Sequence, residues 1–276
     1  MEEIQKPEEI APNRASEANT EEPGHSDKVA GIFAGPAQTY EQMAKFPPRI
    51  IDWLLPTFLV VVIAVISNII LMSNPDIRYQ AKEKQMAGVE KTFNKMVEGG
   101  QISREVADGE IEKARDKMDS INSGMSILLQ SISTVFAVFI SFFIVTGIYF
   151  LFSRFLLKGD GTYQSALSAN GMSHYISIVG MIAMVLVSLL LRKFLMGTSL
   201  GAFIDADKAT FTGMLLYKLD IIGIWGLAIT SIGLAKMFHS VSVWKYFTMV
   251  FGIWIIWSLI TLAIARAVPL LSSLAM

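Results

Sequence analysis

Five apolar stretches, each long enough to cross a bilayer, fill most of this chain beyond residue 50. They run over about residues 51–72, 125–152, 174–196, 219–238 and 246–265. A hydrocarbon core of about 30 Å takes roughly 20 helical residues, because a helix rises about 1.5 Å per residue. Within lipid only helices and closed barrels satisfy their own backbone, and runs of this length are helical. The expected fold class is therefore all-α: an integral membrane bundle of five transmembrane helices. A lipid bilayer is the first partner the sequence implies.

Composition excludes several function classes. A net charge of −1 implies no nucleic-acid partner. With no cysteine, disulfides, thiolate metal sites and a cysteine nucleophile are excluded. The acidic, polar start does not resemble a cleavable signal peptide, so the first span is expected to act as an uncleaved signal.

Residues 1–28 carry many acids, among them Glu2, Glu8, Glu17, Glu21 and Glu22, with little apolar surface to bury, and read as a disordered acidic tail. Residues 29–50 read as an amphipathic lead-in at the headgroup level. Phe33, Tyr40, Met43 and Phe46 line one side of a short helix that Pro36 starts and Pro47–Pro48 stop. Between the first two spans, residues 73–124 hold nine Lys or Arg and ten Asp or Glu. Apolar residues recur there at helical spacing on both sides of Gly99–Gly100. This predicts a polar helical hairpin reaching ~30 Å from the membrane. It serves either as a docking arm or as a simple extension of the two spans.

The span interiors are chemically quiet. A charge in lipid costs several kcal/mol unless paired or wetted, and Asp52, Lys218 and Asp220 fall at span ends, where interfacial water suffices. His25, His174 and His239 fall in a tail and at two membrane edges. No GxSxG or HExxH pattern occurs, and Asp205 with Asp207 lacks a third metal ligand, so it reads as a solvated loop. No catalytic residue, cofactor or metal ligand is expected. Gly226, Thr230 and Gly233 share a face of the fourth span, where another helix can approach closely. That contact suits packing within one molecule, and homo-oligomerisation stays open.

Three motifs in order carry a resemblance. Residues 32–47, IFAGPAQTYEQMAKFP, contain Phe33, Pro36, Thr39, Tyr40 and Pro47. Residues 158–167, KGDGTYQSAL, contain Gly159, Gly161 and Tyr163. Residues 219–235, LDIIGIWGLAITSIGLA, contain Asp220, Trp225, Gly226 and Gly233. Together they resemble the Yip-type membrane proteins, the family named for members that interact with Ypt/Rab GTPases, and the pattern looks prokaryotic. The chain lacks the proline that the family often carries near the start of the third span, and its 73–124 insert is longer than the minimal family loop.

The resemblance covers about residues 30–265 and implies a single membrane domain over 29–270. It further implies a non-enzymatic scaffold with membrane or cytosolic protein partners and a cytosolic N-terminus in the prokaryotic cytoplasmic membrane. Basic residues at the span ends lean toward the opposite orientation. The alternative reading is a small transporter or channel subunit.

Overall fold

The computed structural model describes residues 21–120 and 124–267, and the described residues form helices only. Most of the segment expected as an acidic tail lies outside the described residues, as do residues 121–123 of the insert and the chain beyond 267.

The first helices are α1 (His25–Ala34), α2 (Pro36–Met43) and α3 (Ile51–Ser73), followed by the insert helices α4 (Pro75–Glu98) and α5 (Arg104–Ser120). Next come α6 (Gly124–Leu151), closed by a π turn over Phe152–Leu156, and α7 (Tyr163–Leu191). Short α8 (Leu200–Phe203) and α9 (Phe211–Lys218) lead to α10 (Ile221–Met237) and α11 (Val243–Ala267).

Among the described residues four segments are long and apolar enough to cross a membrane: Ile51–Ser73, Ile132–Leu156, Tyr163–Leu191 and Val243–Ile264. The protein is an integral membrane helical bundle. The structure differs from the sequence reading at two spans. The third apolar helix begins at Tyr163, well before His174, because Thr162 and Ser165 form a capping box that starts it there. The fourth stretch is not one straight helix. α9 and α10 meet at a break over Leu219–Asp220 and are bent by 67°, supplying a fifth crossing if the two halves count as one span.

α7 is the hub. Residues Ser165–Ser173, SALSANGMS, are all buried, and their small side chains let three neighbours approach. Such close packing drives helix association in lipid, where apolar burial alone gives little. α3 runs parallel to α7: Trp53 lies over Gly171, Thr57 meets His174, and Leu71 clusters with Val185. α10 runs antiparallel, with Ile222 at Gly180 and Gly226 facing Ile176. A Cβ on Gly171 would sit 2.5 Å from the Trp53 backbone, so only glycine allows that crossing.

The lead-in is two helices rather than one strip on the bilayer surface. Ile32, Tyr40 and Met43 are buried in the main core with Met172, Ile176, Leu234 and Phe238. The segment expected as tail also contributes: α1 starts at His25, and Lys28 is 2% exposed.

The insert is fastened to its own protein. Gln80, Lys84 and Lys91 lie on one face of α4, at offsets of 0, 4 and 11. Gln80 bonds the backbone at Arg192 and Phe194. Lys84 reaches Asp205 at 2.5 Å and the Phe194 carbonyl at 2.9 Å, and Lys91 reaches Asp207 at 2.7 Å. Lys193 adds a second cation to Asp205 at 2.7 Å. The loop is exposed, as expected, and it also serves as a clasp for α4. Burial pushes the Asp205 carboxyl up, but hydrogen bonds from Lys193 and Lys84 outweigh it and hold it below the usual carboxylate range. The hydrogen bond from Lys91 does the same at Asp207.

Candidate functional site

Where α1 meets α3 and α7, the chain buries a polar network. Lys28 Nζ donates to Asp52 Oδ2 at 2.7 Å and to Glu22 at 2.8 Å. Arg49 pairs with the same Glu22. His25 Nδ1 lies 3.1 Å from Asp52 Oδ1, and its Nε2 lies 2.8 Å from the Tyr175 hydroxyl. Asp52 is 1% exposed, so the expectation that water at a span end solvates it does not hold. A buried carboxylate persists only when paired, and both of its oxygens are engaged here. The network fastens α1 to the bundle.

Sequence reasoning missed this network. His25 lies 27 residues from Asp52 and 150 from Tyr175. The available signal was an acid in the first turn of an apolar helix, a position that demands a cation.

The motif residues gather next to it. The Tyr40 hydroxyl donates to the Ala169 carbonyl at 2.9 Å, and its ring lies flat against Gly233. Burial, with a smaller contribution from Asp52, pushes the Tyr40 hydroxyl well above its ordinary range, so it keeps the proton that it donates. Phe33 meets Trp225 edge to face at 5.7 Å. Pro36 opens α2, where its missing N–H costs nothing. Thr39 packs against Gly31 and bonds the Gly35 carbonyl at 3.0 Å. Pro47 lies in the irregular link between α2 and α3.

The second motif closes the same end of the bundle. Gly159 and Gly161 lie against Phe238, and Gly159 also touches the Tyr246 hydroxyl. Tyr163 packs edge to face on Phe150 and bonds the Phe143 carbonyl at 3.2 Å. Phe33, Tyr40, Trp225 and Gly233 therefore come together, with Gly159, Gly161 and Tyr163 as neighbours. Gly226 faces α7 instead. Asp220 is apart from all of these, at the α9–α10 break.

Above the packed motifs lies a polar face built from α2, the 157–162 link and the end of α10. Lys236 donates to Glu41 at 2.8 Å, holding the Glu41 carboxyl below its usual range. His239 pairs with Asp160 at 2.9 Å and approaches the Ala44 carbonyl at 3.4 Å. This histidine, too, has an acidic partner that sequence distance hid. Between these groups is a cavity of about 190 Å³ lined by Phe46, Pro48, Asp160, Thr162, Met237 and His239 among others. Among the described residues no cluster of three or more His, Cys, Asp or Glu is placed to hold a metal ion.

A family model described as "Yip1 domain" matches residues 30–265. No curated protein and no solved structure matches the chain.

Proposed function

This chain belongs to the Yip1 domain family, and from that premise we propose that it is a non-enzymatic membrane scaffold whose N-terminal face receives a partner protein. The family is not known as an enzyme family. The observation that carries the reading is the preorganised polar face around the 190 Å³ cavity. Its inner wall is set on the packed core by Gly161 and Met237, while Glu41, Asp160 and His239 stay accessible. Mixed charge around an apolar-floored recess suits a peptide segment that inserts one side chain and pairs its flanks. The face lies in the cytosol in this reading, with the protein in the prokaryotic cytoplasmic membrane.

Photo-crosslinking from positions 41 and 160 in native membranes tests it. A discrete protein adduct from both positions, weakened by Asp160→Lys, is expected. Crosslinks to lipid alone would overturn the reading.

One observation favours the alternative, a small transporter or channel subunit. The broken α9–α10 pair places irregular backbone between apolar helices, an arrangement often found beside intramembrane solute sites. Solute flux in proteoliposomes distinguishes the two.

A further inference from the structure

We propose that the cleft between α7 and α10 is a binding site for a primary ammonium group carried on an apolar chain. The site lies apart from the N-terminal face and does not depend on the scaffold reading. The cleft holds about 430 Å³, within the range of small-molecule sites. Gly180, Gly223 and Gly226 line it and leave that part of its wall without side chains.

Its chemistry is one-sided. Asn170, Ser173, His174 and Ser177 follow one another on a single face of α7, at offsets of 0, 3, 4 and 7. Asp220 stands at the α9–α10 break; among the described residues it is the only acid lining the cleft, and no Lys or Arg lines it. Among the described residues, the Asp220 carboxylate has one hydrogen-bond partner, Thr198 at 2.8 Å to Oδ1. It precedes α10 but makes no side-chain cap to that helix. A carboxylate accepts about four hydrogen bonds, so Oδ2 keeps its capacity.

His174 adds a second acceptor. The Thr57 hydroxyl donates its single proton to the Trp53 carbonyl at 2.7 Å. It therefore receives the bond from His174 Nδ1, at 3.1 Å. Nε2 then carries a lone pair, and it has no partner among the described residues. The Asn170 amide gives Nδ2 to Thr146 at 2.8 Å, leaving Oδ1 as a third acceptor.

Asp220, anionic and offset by no lining cation among the described residues, matches a group with N–H donors and a positive charge. His174 and Asn170, six and ten residues before Gly180 on α7, line the cleft about 9 and 15 Å farther along. The remaining walls, including Met181, Met184, Ile222 and Leu227, match an apolar chain. An anionic head would meet Asp220 unpaired. An alcohol would supply one donor and no charge. A quaternary ammonium would supply the charge and no donor.

The test uses the full chain in uncharged detergent, with decylammonium, decanol, decyltrimethylammonium and decanoate as probes in thermal-shift titrations. Decylammonium is expected to bind at least ~10-fold tighter than decanol, as a charge-assisted hydrogen bond requires. Asp220→Asn removes that preference, and the control Glu83→Gln, at an exposed acid on α4, keeps it. Equal binding of decanol, or a preference that survives Asp220→Asn, would overturn the proposal. The wild-type probe series decides it alone if the variant fails to fold. Native mass spectrometry after release from nanodiscs then separates the sources. Retention of phosphatidylethanolamine over phosphatidylcholine assigns a membrane lipid. No lipid preference, with the decylammonium preference intact, assigns a soluble amine.

Discussion

Lys28 Nζ and Asp52 Oδ2 lie 2.7 Å apart, and both side chains are only 2% exposed. The pair joins the first turn of an apolar helix to the segment before the bundle, so lead-in and bundle fold as one unit. Removing one partner of a buried ion pair leaves a charge without compensation, which costs about 3–5 kcal/mol. Asp52→Asn is expected to lie at the low end, because Glu22 still meets Lys28. The double variant Lys28→Met with Asp52→Asn is expected to be more stable than the sum of the two single losses. Denaturant unfolding in detergent, followed by helical circular dichroism, measures all three. Additive losses would show that the pair is not coupled.

Gly233 is the seat of the Tyr40 ring. A Cβ there would lie 2.7 Å from Tyr40 Cζ, and the ring is held at its far end by Ala169. Gly233→Ala is therefore expected to cost about 1–3 kcal/mol by overpacking. In a Tyr40→Ala background the added methyl enters vacated space, so the same change should cost almost nothing. An equal cost in both backgrounds, read from the same unfolding curves, would place the strain elsewhere.

The α4 clasp is expected to loosen in acid. Asp205 and Asp207 both have folded values below the unfolded one. For lowered carboxylates the stabilisation is fully present above the ordinary value of about 4, and it disappears as pH falls through the depressed folded value. These pairs are partly exposed, so each contributes no more than about 1 kcal/mol and weakens with salt. Spin labels at Ala87 and Thr212 should report a longer, broader distance below pH ~4. Lys84→Gln with Lys91→Gln should give that distribution already at neutral pH. An unchanged distance across the range would mean that other contacts hold α4.

Asn74 sets where α4 begins. Its side chain accepts from the backbone N–H groups of Asp76 and Ile77 at 3.0 and 3.2 Å, and Pro75 follows it. Asn74→Ala is expected to cost about 1 kcal/mol. Hydrogen exchange should speed up in the first turn of α4 while α3 stays protected. Uniform exchange along both helices would show that α3 and α4 open together.

Some of this architecture was legible in advance. The apolar runs announce all-α membrane spans, since lipid offers the backbone no other partner. The motifs around Phe33, Tyr163 and Trp225 announce the family. What they do was not legible: Tyr40 and Gly233 lie in different motifs, and nothing local says that the ring of one fills the space left by the other. The ion pairs of Asp205 and Asp207 with α4 were not legible because Lys84 and Lys91 lie 121 and 116 residues earlier.

The amino-acid sequence by itself determined the solvent, the helical class and the family, because length and apolarity are properties of continuous segments. The tertiary structure decided where charge can be buried, where a helix must break and which polar groups share a space. Asp52 survives in the interior only because Lys28 and His25 arrive from another helix. Asp220 lines a cleft only because the break between α9 and α10 sets it beside glycines of α7 and α10. Coulombic and steric terms depend on distance in space, and separation along the chain does not report it.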